Sequence, residues 1–184
     1  MFLPKDYAKP KVAGGDYLNK FLKGETRIRV LSSAIVGWEY WRDNSEGRPE
    51  PVRLSEVPEE LPSDIRRKED GSPEDVKHFW SFIVWDYTDS KIKICHITQS
   101  SIQGQIQELV SDEDWGDITS YDIKINRTGE GLETRYATTP APKKELSIEA
   151  AEAFEKKPID LQALFTGDNP FEIDESINPD DIKI

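Results

Sequence analysis

Basic and aromatic side chains alternate along several segments of this sequence, and their chemistry is that of binding. Cations hold phosphate groups, and flat aromatic rings offer faces on which nucleic-acid bases stack. The basic candidates are Arg27, Arg29, Lys91, Lys93, Lys124, Arg127 and Arg135. The aromatic candidates are Trp38, Tyr40, Trp41, Trp80, Phe82, Trp85 and Tyr136. The combination predicts a surface for single-stranded nucleic acid.

The sequence offers little for catalysis. It contains two histidines and one cysteine, and Cys95 and His96 are neighbours in a predicted strand, so their side chains point to opposite faces. That spacing forms neither a zinc site nor a cysteine–histidine dyad. We find no glycine-rich phosphate loop and no Gly-x-Ser-x-Gly motif. We therefore predict a protein that is not an enzyme, with no catalytic residues, no metal and no cofactor.

Acidic charge stands against this interpretation, because nucleic-acid-binding proteins are usually basic. The formal net charge is -12. Much of it lies in residues 145–184, which contain eleven acidic and three basic side chains. Residues 1–44, in contrast, contain eight basic and five acidic side chains. A nucleic-acid-binding surface must therefore be a local basic feature of an acidic chain.

Short strands are the elements that must position these side chains. Alternation of polar and apolar residues predicts a long first strand over residues 26–41, with a bend near Ser32 and Ser33. Four further strands are predicted over residues 78–87, 91–98, 121–127 and 133–138. An apolar stripe at helical spacing, which includes Ile102 and Ile106, predicts a helix between the third and fourth strands. The predicted fold is therefore mainly β, a five-stranded OB-fold barrel with a helix between strands 3 and 4.

The second predicted strand is apolar on both faces. Phe79, Ile83 and Trp85 form one set, whereas Trp80 and Phe82 belong to the other. Both sets cannot face the interior of a small barrel. One of them is therefore exposed at the surface, covered by a loop or the tail, or available as a platform on which bases stack.

Composition divides the rest of the chain. We predict an N-terminal basic arm over residues 1–24, the OB-fold domain over 25–142 with a long loop at 42–75, a short helical extension over 143–167 and an acidic tail over 168–184. An ordinary solvated terminus is an equal alternative for the arm. The tail is expected to compete with nucleic acid for the basic surface and to bind partner proteins. Its candidate residues are Phe171, Asp174, Glu175, Asp180 and Asp181.

Several segments carry a resemblance to a known family. Residues 21–25 lead into the first strand, residues 37–41 read Gly-Trp-Glu-Tyr-Trp, and residues 121–125 are followed by the segment 129–136. With a proline-rich exit and an acidic C-terminus, the chain resembles the single-stranded DNA-binding proteins of tailed bacteriophages. The resemblance implies sequence-independent binding of single-stranded DNA during phage replication or recombination, with replication or recombination proteins as the expected partners of the acidic tail.

Other expectations follow from what the sequence lacks. No apolar run is long enough to span a membrane, and no export signal is recognised, so the expected location is the cytoplasm of the host cell. The alternative function is an acidic OB-type module that binds protein, such as a phage structural or inhibitory protein. Residues 1–144 favour it because they are also net acidic, with 25 acidic and 21 basic side chains. An enzyme without a metal is the third and weakest alternative.

Overall fold

Strands dominate the chain, as the alternating sequence pattern predicts. A computed structural model describes residues 15–172, and within this range it contains eight strands and three α-helices. The strands are β1 (Tyr17–Leu18), β2 (Gly24–Val30), β3 (Ile35–Asp43), β4 (Pro49–Leu54), β5 (Lys77–Asp86), β6 (Lys91–Ile97), β7 (Asp122–Thr128) and β8 (Arg135–Pro140). The helices are α1 (Ser100–Ser111), α2 (Ile148–Glu155) and α3 (Ala163–Thr166). The mainly β prediction is confirmed, whereas the predicted number of five strands is wrong.

The described strands form one sheet with the order β1-β6-β5-β2-β7-β8, and β3 joins it by pairing with β5 and β4. The β1–β6 pair is parallel and the other pairs are antiparallel. Helix α1 connects β6 to β7, where the sequence predicts a helix. None of the helices in residues 15–172 is long and apolar enough to cross a membrane.

The additional strands have physical causes that the sequence pattern hides. The predicted first strand is divided into β2 and β3 at the two serines, where Ser32 Oγ accepts a hydrogen bond from the Ile83 amide. Strand β4 lies within the segment predicted as a loop, because Pro49 and Pro51 suppress a strand prediction. Prolines are tolerated there since β4 is an edge strand that pairs with β3 alone. Residues 17–18, assigned to the arm, form β1 against β6.

One face of the sheet, here called the inner face, holds the main hydrophobic core. The inward side chains of β2, β5 and β7 pack against the apolar stripe of α1, which includes Ile102 and Ile106. The inward strand residues are Ile28, Val30, Phe82, Val84, Ile123 and Ile125. Phe21, which precedes β2, is buried in the same core. Part of the segment predicted as an arm therefore packs onto the folded domain.

The opposite face, here called the outer face, is half covered by residues 143–172, the C-terminal extension. Ile83 and Trp85 of β5 pack with Ala150 and Phe154 of α2, and Phe79 lies 5.9 Å from the Phe165 ring of α3. The side-chain oxygen of Ser147 accepts a hydrogen bond from the Ala150 amide and begins α2. The extension is thus the cover for the second apolar set of β5.

Helix α1 also protects the free edge of β8. The Gln105 amide nitrogen donates to the Tyr136 carbonyl at 3.1 Å, and its oxygen accepts from the Thr138 amide at 2.6 Å. These two bonds reproduce the pattern of a neighbouring strand at an edge that β7 does not reach. The Gln105 side chain therefore makes two of the hydrogen bonds that a further strand would make with β8.

We predict that Gln105→Ala destabilises the protein by about 1–2 kcal/mol, because both backbone groups of β8 lose their partner. Urea unfolding measures the change. Gln107→Ala is the matched control, since Gln107 is exposed on the same helix and makes no hydrogen bond to the described residues, and it should change stability by less than about 0.5 kcal/mol. Equal effects of the two substitutions would contradict the edge role.

Candidate nucleic-acid interface

A buried carboxylate on the outer face gathers basic side chains from two segments and a tyrosine from a third. Asp122 begins β7 and is fully buried. It accepts hydrogen bonds from Arg27 Nε at 2.8 Å, from Arg29 Nε at 2.7 Å and from the Tyr87 hydroxyl at 2.9 Å. Lys144 Nζ, from the chain just beyond β8, lies 3.0 Å from the same carboxylate.

Strand register produces this cluster. Arg29 lies directly opposite Asp122 in the β2–β7 pair, and Arg27 is two residues away on the same face. Burial alone would raise the pKa of Asp122, but the hydrogen bonds from Lys144, Arg27, Tyr87 and Arg29 outweigh it and hold the pKa below its usual value. The pKa of Tyr87 is raised by burial and by its bond to the carboxylate.

Three cations surround one carboxylate, so the cluster presents surplus positive charge to solvent. Arg27 and Lys144 keep about a third and a half of their side chains exposed, at 35% and 46%. Both lie against the Tyr87 ring, at 5.1 Å and 5.2 Å from its centroid. The ring therefore positions two cations at the surface through cation–π contacts.

Further polar side chains continue this surface across β7 and β8, on the half of the outer face that the extension does not cover. Lys124 lies opposite Arg27 in register and is 4.0 Å from Glu25. Arg135 is exposed at the start of β8. We call Arg27, Lys124, Arg135 and Lys144 the basic strip. Exposed neighbours that can donate hydrogen bonds are Asn126, Thr128 and Thr139.

The structure corrects two of the predicted cations. Arg29 and Lys93 were expected to face solvent, but both are buried. Arg29 is held by Asp122, and Lys93 by Asp86 at 2.7 Å and by Asp89. Strand alternation assigns a residue to a face, but neighbouring strands and the extension decide whether that face is exposed.

Two other predicted cations are only partly exposed. Lys91 begins β6 opposite Asp86. Arg127 donates to the Phe21 carbonyl at 3.0 Å and so fastens the residues before β2 to β7. Arg127 therefore contributes to the fold, and neither residue joins the basic strip.

Three predicted stacking residues are buried, which is a second correction. Phe82 fills the inner core and Trp85 packs under α2. Tyr40 is buried on β3, and its hydroxyl donates to Asp64 at 3.2 Å. The surface of these three residues, predicted as a platform for bases, is packing surface of the folded domain.

The remaining aromatic candidates keep some exposed surface but lie away from the basic strip. Trp38 lies 5.0 Å from His78, and Trp80 packs at the edge of the inner core. Trp41 is exposed on β3, while Tyr136 contacts Phe21 edge to face at 6.2 Å. None of these four side chains therefore belongs to the basic strip, whose aromatic ring is that of Tyr87.

Of the predicted tail contacts, only Phe171 falls within the described residues. Its ring lies 5.7 Å from that of Tyr17 and 4.9 Å from Lys157 Nζ, so it helps to fasten the extension to the domain. Asp174, Glu175, Asp180 and Asp181 lie outside the described residues.

Lys144 is a site residue that the sequence prediction missed, whereas Tyr87 was predicted only as one of the aromatic residues of the strand over 78–87. Tyr87 ends an aromatic segment, and its polar hydroxyl was the available signal for a role different from its neighbours. Lys144 follows the last strand and has no strand periodicity, so no local pattern places it beside Asp122.

A serine, a histidine and a glutamate on the outer face have the spacing of a catalytic triad. Ser81 Oγ lies 2.7 Å from His96 Nδ1, and His96 Nε2 lies 3.2 Å from Glu39. Burial raises the pKa of Glu39, but His96 and Arg53 outweigh it and leave the pKa lowered. Ser81 is fully buried, so its oxygen has no access to a substrate. The network joins β3, β5 and β6.

The fold and the basic strip define a mainly β protein with a cationic surface on a sheet. The chain is similar to the probable ssDNA-binding protein of Escherichia phage T5, at 25% identity over 135 residues that cover 64% of this chain. The resemblance to phage single-stranded DNA-binding proteins is thereby confirmed. The match covers 52% of that relative, so the chain corresponds to about half its length. No family model and no solved structure matches the chain.

We predict that Asp122→Asn destabilises the protein by about 3–5 kcal/mol at neutral pH, because Arg29 is left buried without its counter-charge. The folded-state pKa of Asp122 is lowered, so its contribution is complete above about pH 5 and is lost as the pH falls below about 4. Urea unfolding at several pH values should therefore show the difference from wild type shrinking in acid. Glu25→Gln, on the same face but exposed, is the control. A difference that does not depend on pH would contradict this role.

Proposed function

We propose that this protein binds single-stranded DNA without sequence preference, and that it does so in phage DNA replication or recombination. The observation that carries the proposal is the basic strip, an uncovered row of cations on the sheet of a chain whose net charge is -12. The similarity to a protein described as a probable ssDNA-binding protein supports the choice of ligand.

Strand order supports an OB-type assignment, which we also propose. The order β6-β5-β2-β7-β8, with a helix between β6 and β7, corresponds to the predicted strands 3-2-1-4-5. OB-folds are five-stranded Greek-key barrels, partly open, that bind oligonucleotides on their surface. In this assignment β1 and β4 are additions, and α1 packs where the barrel is open.

The proposed mechanism is electrostatic. Arg27, Lys124, Arg135 and Lys144 contact successive phosphates, and the hydroxyl and amide groups beside them donate further hydrogen bonds. Phosphate contacts position a nucleic acid but carry no sequence information, which accounts for binding without sequence preference. The proposed role requires no catalysis, and its proposed location is the host-cell cytoplasm.

A charge-reversal test distinguishes the basic strip from general charge effects. Lys124→Glu/Arg135→Glu should weaken binding of a fluorescein-labelled dT oligomer by about tenfold, since two phosphate contacts become repulsions. The control Lys77→Glu/Lys156→Glu changes the net charge equally at exposed positions off the strip, and it should change affinity by less than about threefold.

The salt dependence of the same titration counts the contacts. Four phosphate contacts predict a log–log slope of about -3, which the double substitution on the strip should reduce to about -1.5. Fluorescence anisotropy at several salt concentrations gives the slope. If wild type shows no binding at low salt, the DNA-binding proposal fails and the alternative, an acidic protein-binding module, is favoured.

The acidic tail provides a further proposal, that it competes with DNA for the basic strip and also binds replication or recombination proteins. Residues 173–184 contain four acidic side chains and one lysine. Deleting them should tighten dT binding several-fold at low salt and less at high salt, because the competition is electrostatic. Truncation after residue 172 preserves the Phe171 contacts. Unchanged or weaker binding would contradict the competition.

A further inference from the structure

An apolar groove opens on the inner side of the sheet, beside helix α1. It has a cavity volume of about 380 Å³ and lies among the bend after β2, strands β3 and β5, and α1. Most of its lining is apolar, and the principal side chains are Val30, Val36, Trp80, Phe82, Ile106 and Val110. The volume falls within the range of small-molecule and side-chain pockets.

Two of the lining side chains are exposed to an unusual degree for valine. Val36 on β3 is 51% exposed and Val110 on α1 is 49% exposed. Trp80 lies between the two elements and is only partly buried. Covering such a concave apolar surface is favourable by about 25 cal/mol for each Å² removed from water. The groove therefore has both the shape and the exposed area that an inserted side chain requires.

An acidic segment of the chain adjoins lining residues at one end of this groove. The segment 108–117 contains five of them, and residues 99–120 contain no lysine or arginine. The lining residues Val110 and Ile118 bracket most of the acidic run. The five acidic residues are Glu108, Asp112, Glu113, Asp114 and Asp117. None of them forms an ion pair with any residue that the structure describes. We call the segment 108–117 the acidic rim; it places carboxylates that form no ion pair next to the lining residues Val110 and Ile118 in the chain.

We propose that this groove binds a basic amphipathic segment of a partner protein. Bulky apolar side chains of the segment enter the cavity against Trp80, and its lysines or arginines face the acidic rim. Amphipathic helices bind hydrophobic grooves in this manner, and opposite charges across the interface increase the association rate and fix the orientation. A DNA strand does not fit, because its phosphates would meet the carboxylates.

The groove and the basic strip are on opposite faces of the same sheet. Val30 and Phe82 point to the inner face, while Arg27 and Lys124 point to the outer face. A partner in the groove therefore leaves the strip accessible. The inference goes beyond DNA binding and does not depend on it.

A peptide titration tests the proposal on the full-length protein. The probe is a short fluorescein-labelled peptide of leucine and lysine in amphipathic helical order, compared with a leucine–glutamate and a serine–lysine peptide. We expect only the leucine–lysine peptide to bind. Its binding should change the tryptophan fluorescence of the protein, and this change should be lost in Trp80→Phe. Equal binding of the serine–lysine peptide would overturn the proposal, because charge alone would then explain the binding.

Paired variants locate the binding surface. Val36→Gln/Val110→Gln and Glu113→Lys/Asp114→Lys should each weaken peptide binding by about tenfold. The matched controls are Leu22→Gln/Leu132→Gln, at exposed leucines off the groove, and Glu59→Lys/Glu60→Lys, at exposed acids elsewhere. Both controls should bind the peptide as wild type does. Equal losses in controls and groove variants would overturn the proposal, as would a loss of dT affinity in Val36→Gln/Val110→Gln, which would assign the groove to DNA.

Discussion

Strand β5 is apolar on both faces, and this constraint determines how the rest of the molecule is arranged. A sheet with one apolar face needs one covering layer, but β5 requires two. Helix α1 covers the inner set, which includes Phe82 and Val84. The extension that contains α2 and α3 covers the outer set, which includes Ile83 and Trp85. Residues beyond the last strand are therefore part of the folded unit.

The position of the basic strip follows from this arrangement. The extension lies over β5 and β6, so the outer side chains of β7 and β8 beyond Asp122 are left in contact with water. At the border between covered and uncovered surface lies Asp122, a fully buried carboxylate. A buried charge is tolerated when it is paired and hydrogen-bonded, and here Arg27, Arg29 and Lys144 provide those partners. The same demand that stabilises the carboxylate brings cations to the surface.

The sequence pattern predicted the helix between β6 and β7 and the positions of most strands, because periodicity reports which side chains share a face. It did not predict exposure. Arg29 and Lys93 alternate with apolar residues, as cations on the exposed face of a strand do. Both are nevertheless buried, because Asp122 and Asp86 on adjacent strands form ion pairs with them. Strand β4 was hidden by its prolines, whose cost depends on an edge position that only the pairing reveals.

Site residues whose role depends on tertiary contacts could not be predicted from the sequence. The conflict between the two apolar sets of β5 was visible in the spacing of its aromatic residues, but its resolution was not. A surface on which bases stack and a surface against which a helix packs have the same composition. No local pattern therefore distinguishes a platform for bases from the surface that α2 covers. Lys144 illustrates the same limit, because its role depends on where the chain leaves β8.

Net charge is a poor guide to binding when opposite charges are separated in space. The basic strip and the apolar groove lie on opposite faces of one sheet, and exposed charges more than roughly 8 Å apart are largely screened at physiological ionic strength. Each face therefore presents its own local field, and a net charge of -12 describes neither. An acidic chain can in this way attract a polyanion on one side and a basic protein segment on the other. The net negative charge lowers the long-range attraction between the whole protein and a polyanion, but it does not remove the local attraction of the basic strip.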